Sequence, residues 1–461
     1  MKWSFLLFVL LGMTGVKAQD ISYATRAVVN RIEKGGSLDH EFTGPEHLVS
    51  DQYQAYTELR KTATTKELYT LIFDQNPVVK GYASWALADR RYPKPFDVFR
   101  EFYRSGERVP AMDGCVRYQP ALAEAFYERL LSHDYQWATT QDQKIFTEEL
   151  RKMDSLILYG LAPGGYGLYR YVTAHNAAHP AWYPRIRELA ITTHNTDLIA
   201  ELGSYRQKKD IPAIIKLDSL AFPAIAQFPD TAFRKLMVKY KGLKTRKHYA
   251  EALAAFKSKE AAKTFTELYP TLTASETEDL DVALTRQFSP LYTDLVLDIW
   301  ATKRMIHPAV LPELVMNKPN ESSEAFARGL KRDLPDHFIL TEGYTPQADS
   351  ALKFMLRHIG RYNPELLADV CSNNLQRPGT PVKPFLDMIA YYRITGTTAQ
   401  LFTLLKQTRS ATELYELSAT LYALNNTGID RQVAQLLKQR KKEWQDAYNA
   451  QAIRELMRVN S

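Results

Sequence analysis

The sequence predicts an all-α protein, an α-solenoid of irregular helix pairs. Three observations carry the prediction. Residues 64–88 read as two short antiparallel helices joined by a tight turn. From about residue 22 onward, apolar residues at helical spacing alternate with short turns, while strand-like alternation is scarce. The tetrad Leu404-Leu405-Lys406-Gln407 recurs as Leu436-Leu437-Lys438-Gln439, a period of 32 residues that suits a helix–turn–helix array.

Taken in order, residues 1–18 have the pattern of a secretory signal peptide. Lys2 supplies the positive start, an apolar core follows, and Val16-Lys17-Ala18 puts small residues where a signal peptidase reads. That core is too short to span about 30 Å of hydrocarbon, so an exported chain beginning at Gln19 is expected, in the periplasm or, alternatively, outside the cell. Residues 19–158 then read as N-terminal helical repeats. In the 64–88 pair, Thr64 and Glu67 have the spacing of a capping box. Leu68, Leu71 and Ile72 share a face, and Asn76 followed by Pro77 starts the second helix, whose stripe is Val79, Ala83 and Ala86. Such a pair cannot bury its apolar face alone and implies stacked neighbours. Residues 104–140 read as helices with little repeat character.

Residues 159–190 break the pattern with Gly164-Gly165, prolines and dense aromatics, and read as a junction. Residues 191–461 read as a second helical array. Its helix starts are marked by Ser289-Pro290, Thr345-Pro346 and Asn363-Pro364, with capping boxes expected at Ser275–Glu278 and Ser410–Glu413. A charged final helix over 432–458 would close the array toward water. Glu276, Glu278, Asp279 and Asp281 could pair as catalytic carboxylates, but acids in a first helical turn already complement the helix dipole.

Residues 64–88 resemble the core of HEAT-like (armadillo-type) helical repeats, with Asp74 in the turn, Val79-Lys80, and then Ala83 and Ala86-Leu87. Residues 198–217 resemble the other half of such a repeat through Leu202-Gly203 and Asp210-Ile211-Pro212-Ala213-Ile214. The likeness is weaker over 247–269 and over 385–438, and for 385–438 TPR-like pairing is the alternative. It implies a right-handed stack with a concave, ligand-binding side and no particular activity.

The formal charge is +7, and loss of Lys2 and Lys17 with the signal lowers it by two, to +5. That mild excess demands no polyanionic partner. Residues 234–263, however, gather Arg234, Lys235, Lys239, Lys241, Lys244, Arg246, Lys247, Lys257, Lys259 and Lys263, as a solvated face or a dock for an anionic envelope polymer or an acidic protein. Nucleic acid is not expected, because no binding motif accompanies the charge. Cys115 and Cys371 are read as two separate, mostly buried thiols.

The candidate ligand-binding residues are Tyr166, Tyr169, Tyr171, His175, His179 and Trp182, with Tyr159 and Tyr183 beside them. Aromatic faces here could stack on a sugar ring or a peptide side chain, or plug the seam between two helical blocks. His175 and His179 stand at i, i+4, a metal-chelating spacing on a helix, but Asn176 sits where the zincin motif carries its Glu. No GxSxG, P-loop, GxGxxG or CxxC pattern occurs. No cofactor is expected. The sequence therefore points to an exported interaction scaffold or binding protein for a protein or envelope polymer. The alternative is a hydrolase of envelope glycan or peptide with its site near 159–194.

Overall fold

The computed structural model describes residues 21–44, 48–132, 140–160, 165–175, 178–241, 247–332, 346–377 and 382–459. The segment read as a signal peptide, and Thr345, lie outside them. The fold is all-α and solenoid-like. It divides into two compact units, Met1–Tyr205 and Arg206–Ser461, so residues 159–190 belong to the first.

In the first unit local signals set the helices. Thr64 and Glu67 form a complete capping box at the start of Thr65–Leu71, and the Glu67 carboxylate also accepts the Ser22 amide at 2.6 Å. Burial raises the pKa of Glu67, but these backbone hydrogen bonds outweigh it and hold the group at about 2. Asn76 accepts from the amides of Val78 and Val79 with Pro77 in the first turn. The Pro77–Asp89 helix buries Val79, Tyr82, Ala83, Trp85, Ala86 and Leu87. A helix apolar on nearly every side has to be enclosed. It packs on Thr65–Leu71, Asp51–Thr62 and Leu122–Ser132. Pro95–Ser105 packs on Leu122–Ser132 and Thr140–Tyr159, and Thr196–Ser204 on Tyr183–Thr193 and Tyr169–His175.

The first unit also holds a small sheet that the helical pattern did not foresee. Strands β1 (Leu38–Thr43), β2 (Leu48–Val49), β3 (Ala111–Gly114) and β4 (Val116–Tyr118) lie in the order β2-β1-β3-β4. β1 and β3 are parallel, with Leu38 opposite Ala111, and the outer pairs are antiparallel. Residues 111–118, expected to be helical, instead form a hairpin, turned at Gly114 with φ +52°. Tyr82 ties this sheet to the helices. Its hydroxyl receives the Asp39 amide at 2.8 Å and donates to the Asp39 carbonyl at 3.1 Å. Close approach is possible because Gly81 faces Leu38, where a Cβ would meet a Leu38 methyl at 2.9 Å.

In the second unit the helices stack in series. Phe222–Gln227 packs on Lys247–Ala255, which packs on Ala274–Arg286. Thr293–Lys303 packs on Ala274–Arg286 and Pro319–Leu330, then Pro346–Tyr362, Pro364–Leu375, Val382–Tyr392 and Ala411–Ala423 follow in turn. Each helix meets near neighbours in the chain, which is the contact logic of a repeat array. The two LLKQ copies close corresponding helices, Thr398–Gln407 and Thr427–Gln439. Ser289 and Asn363 cap as expected, and Ser410 accepts the Glu413 amide, but the Glu413 carboxylate takes the Thr408 hydroxyl instead of closing the expected box. The cap of Ala274–Arg286 lies two residues earlier than read: Thr273 and Glu276 make the box. The expected single helix over 432–458 is three, Thr427–Gln439, Lys441–Trp444 and Ala450–Val459. Trp444 is buried and donates to the Leu437 carbonyl at 2.9 Å, which folds the end back.

The cysteines are both free. Cys371 is buried as expected, whereas Cys115 is exposed on the hairpin turn. Burial pushes the Cys371 thiol up to about 12. No described helix is long and apolar enough to cross a membrane.

Candidate functional site

Helical spacing brings a polar and aromatic cluster together in the first unit. On Asp51–Thr62, Tyr53, Tyr56 and Arg60 fall at i, i+3 and i+7, one stripe of the helix. On Pro77–Asp89, Tyr82, Trp85 and Asp89 fall at i, i+3 and i+7. Leu122–Ser132 adds Glu128 and Arg129.

Asp89 is the hub. Its side chain is 3% exposed, and it receives Arg129 through Nε and Nη2 at 2.9 Å each. Arg60 Nη1 donates to it at 2.7 Å, and so does the Tyr56 hydroxyl. Burial opposes the charge of Asp89, but Arg129, then Tyr56 and Arg60, outweigh it and hold the carboxyl well below the usual carboxylate range. The bidentate fork fixes the Arg129 plane. That plane lies over the Trp85 ring at 5.1 Å and the Tyr56 ring at 5.6 Å, a cation–π arrangement. Tyr56 and Tyr82 stack at 5.2 Å, and Trp85 Nε1 donates to the Ala125 carbonyl at 3.1 Å.

Trp85 and Arg129 of this network line a pocket of about 300 Å³, within the range of roughly 300–1,000 Å³ for small-molecule sites. Its walls come from Tyr53, Trp85 and Tyr118, from His40 and Glu41 of β1, and from Glu128 and Arg129. His40 packs edge-on to Trp85 at 5.2 Å, and the Tyr118 hydroxyl lies 3.4 Å from His40 Nε2. Burial, and then the negative charge of Glu128, Asp113 and Glu124, raises Tyr118 to about 12. It is therefore a neutral hydroxyl at physiological pH. Among the described residues, neither the Glu41 nor the Glu128 carboxylate has a hydrogen-bond or ion-pair partner. The nearby cation Arg170 is engaged with Glu124 at 3.2 Å and with Tyr171.

None of the residues singled out from the sequence lines this pocket, although Tyr171 lies near its Glu128 wall. Tyr169 and Trp182 are 7% and 6% exposed and pack in the interior, so these rings are seam residues, not an open platform. Tyr171 packs on Tyr127 at 5.8 Å with the Arg170 guanidinium 4.5 Å from its ring. Tyr183 meets Tyr205 at 5.1 Å, and Tyr159 is exposed. The side chains of Tyr166 and His175 lie outside the described residues. His179 does not continue the helix that holds His175: Ala178, before it, lies at φ +56°, and His179 precedes the short turn Pro180–Trp182 with its ring tilted against Trp182 at 4.6 Å. Among the described residues no group of three or more His, Cys, Asp or Glu is placed to hold a metal ion.

Sequence reasoning missed one acid in this region. Glu201, on Thr196–Ser204, is 6% exposed and accepts the Ala178 amide at 2.6 Å. Burial raises it to about 7, and the Ala178 hydrogen bond offsets only part of the effect. Ala178 sits at φ +56° to make that contact, a conformation non-glycine residues adopt rarely. Tyr205 reaches the same segment, donating to the His179 carbonyl at 2.8 Å.

In the second unit part of the basic stretch is exposed and paired with acids. Lys239 pairs with Asp218 and Lys241 with Glu267, each at 2.7 Å, and both lysines are exposed. Lys244 and Arg246 lie outside the described residues.

No family model matches this chain, and neither a curated protein nor a solved structure matches it.

Proposed function

We propose that this chain is an exported helical-repeat binding protein, and that it takes its ligand in the N-terminal pocket walled by Tyr53, Trp85, Tyr118 and Glu128. One observation carries the reading: three helices and a sheet converge on a polar, aromatic-lined cavity in which the lining residue Arg129 is locked by Asp89. A site on rigid elements loses little ordering entropy when a ligand enters. Export rests on residues 1–18 and the HEAT-like reading on residues 64–88 and 198–217. The partner class that fits a scaffold of this kind is another protein or an envelope polymer.

The test is a thermal-shift screen of the mature chain against short peptides and oligosaccharides, repeated with Tyr118→Ala and Tyr53→Ala. A shift in the parent that both variants lose supports the pocket. A shift that both retain places binding elsewhere. N-terminal sequencing of the secreted form should begin at Gln19, and an N-terminus at Met1 would remove the export reading.

Glu201 favours a second reading, a hydrolase near residues 178–205. A carboxyl held at about 7 is suited to general acid–base chemistry. Hydrolysis of a glycan or peptide substrate that Glu201→Gln abolishes without loss of stability would favour it over the binding protein.

A further inference from the structure

We infer that the N-terminal pocket is a receptor for an organic cation, an alkylammonium or guanidinium group, with Glu128 and Glu41 supplying the counter-charge. The inference rests on the pocket being the binding site and narrows what it binds.

The argument is one of unmatched charge. The cation in the pocket wall, Arg129, is already neutralised by Asp89 through two 2.9 Å hydrogen bonds. Its ring partners, Trp85 and Tyr56, hold it from the faces. The polar capacity left over is therefore acidic: two carboxylates without partners among the described residues, on walls that also carry Tyr53 and Tyr118. A neutral ligand entering this space would strip water from the half-buried Glu128 carboxylate and return no opposite charge, which is costly, while Glu41, exposed at the rim, adds negative potential. A ligand that only donates hydrogen bonds and carries positive charge meets both needs. Ammonium and guanidinium groups do so, and the same groups are drawn to aromatic faces.

Among the described residues no cation is bonded to Glu128: Arg170, whose charge acts on it, is bonded to Glu124 at 3.2 Å and to the Tyr171 hydroxyl.

The experiment is isothermal titration of the full mature chain with three probes. These are Nα-acetyl-arginine amide, the uncharged isostere Nα-acetyl-citrulline amide, and a pentapeptide with arginine at its centre and threonine and valine flanks. The arginine probe should bind and the citrulline probe should bind at least about tenfold more weakly, as expected for loss of one charge-assisted hydrogen bond. Glu128→Gln should weaken the arginine probe by a similar factor with an unchanged circular dichroism melt, and added salt should weaken it further. If the pentapeptide binds more tightly than the amide, the occupant is a side chain of a polypeptide. If the two bind equally, it is a small free cation. Equal binding of arginine and citrulline, or arginine binding indifferent to Glu128→Gln, overturns the cation assignment. A neutral oligosaccharide that binds and is lost in Tyr118→Ala also overturns it, while leaving the pocket as the site. If no probe of any charge binds, and no ligand found in the wider screen depends on Tyr118, both the assignment and the pocket reading fail.

Discussion

Replacing Asp89 with alanine should be among the most damaging single changes in the first unit. Asp89 is 3% exposed and Arg129 12%, so removing the carboxylate leaves a guanidinium in a poorly hydrated site without its partner. Breaking a buried pair in this way costs about 3–5 kcal/mol. Arg60 is 38% exposed, so it can turn to water, and its share is held to roughly 1 kcal/mol or less. The Tyr56 hydroxyl also loses its acceptor while its ring stays buried. The assay is a denaturant melt of Asp89→Ala, of Arg129→Met and of the double variant. The double variant should recover part of the loss, with a coupling energy of about 2–3 kcal/mol. The sign of the pH effect is also fixed. A carboxyl held below its ordinary value stabilises the fold above the unfolded pKa and loses that effect only as pH falls below it. The deficit of Asp89→Ala should therefore be the same at pH 6 and pH 8. A single-variant cost under about 1 kcal/mol, or strict additivity of the two changes, would refute the claim that this hub organises the pocket.

Asp281 should behave in the opposite sense. It is fully buried, and burial, with Glu278 adding, raises it from 3.8 to about 7 although the His307 amide offsets part. The folded state holds the proton more tightly, so stability falls as pH rises from about 4 to about 7 and is level above that. Asp281→Asn should therefore gain up to roughly 4 kcal/mol at pH 8 and little at pH 4, read from denaturant midpoints at the two values. Equal effects at both would contradict it. Asn76→Ala should cost about 1 kcal/mol through the lost cap, and Ala83→Leu, at a site with 0% exposure, about 1–3 kcal/mol through overpacking. A neutral Ala83→Leu melt would count against the packed 64–88 pair. Under native conditions a thiol reagent should label Cys115 and spare Cys371, with both labelled in denaturant, as peptide mass spectrometry would show. Native labelling of Cys371 would mean that its helix opens readily.

The helices were legible because their signals are local. Thr64 with Glu67, Asn76 with Pro77, and Asn363 with Pro364 announce helix starts in a few residues, and the LLKQ copies show the repeat directly. The sheet was not legible in the same way. Its strands run two to six residues, too short for alternation to register, and β1 pairs with β3 across a long stretch of chain. Asp113-Gly114 was the one signal available, a dipeptide that favours tight hairpin turns. The pocket was illegible for a related reason. Tyr53, Trp85, Tyr118 and Glu128 come from separate elements, and nothing in sequence marks their convergence. Conversely, the dense aromatics of 159–184 drew attention because they are close in sequence, yet Tyr169 and Trp182 serve packing. Asp281 read as a helix-dipole acid and proved to be buried, because its position in Ala274–Arg286 faces the interior.

A photoreactive phenylalanine analogue at position 118 tests the central claim most directly. Incorporated in the cells that make the protein and irradiated, it should yield a specific adduct that is lost in a Glu128→Gln background. The same analogue at Tyr391, 75% exposed in the second unit, should yield none. Equal adducts at both positions, or an adduct at 391 alone, would show that the ligand is taken elsewhere.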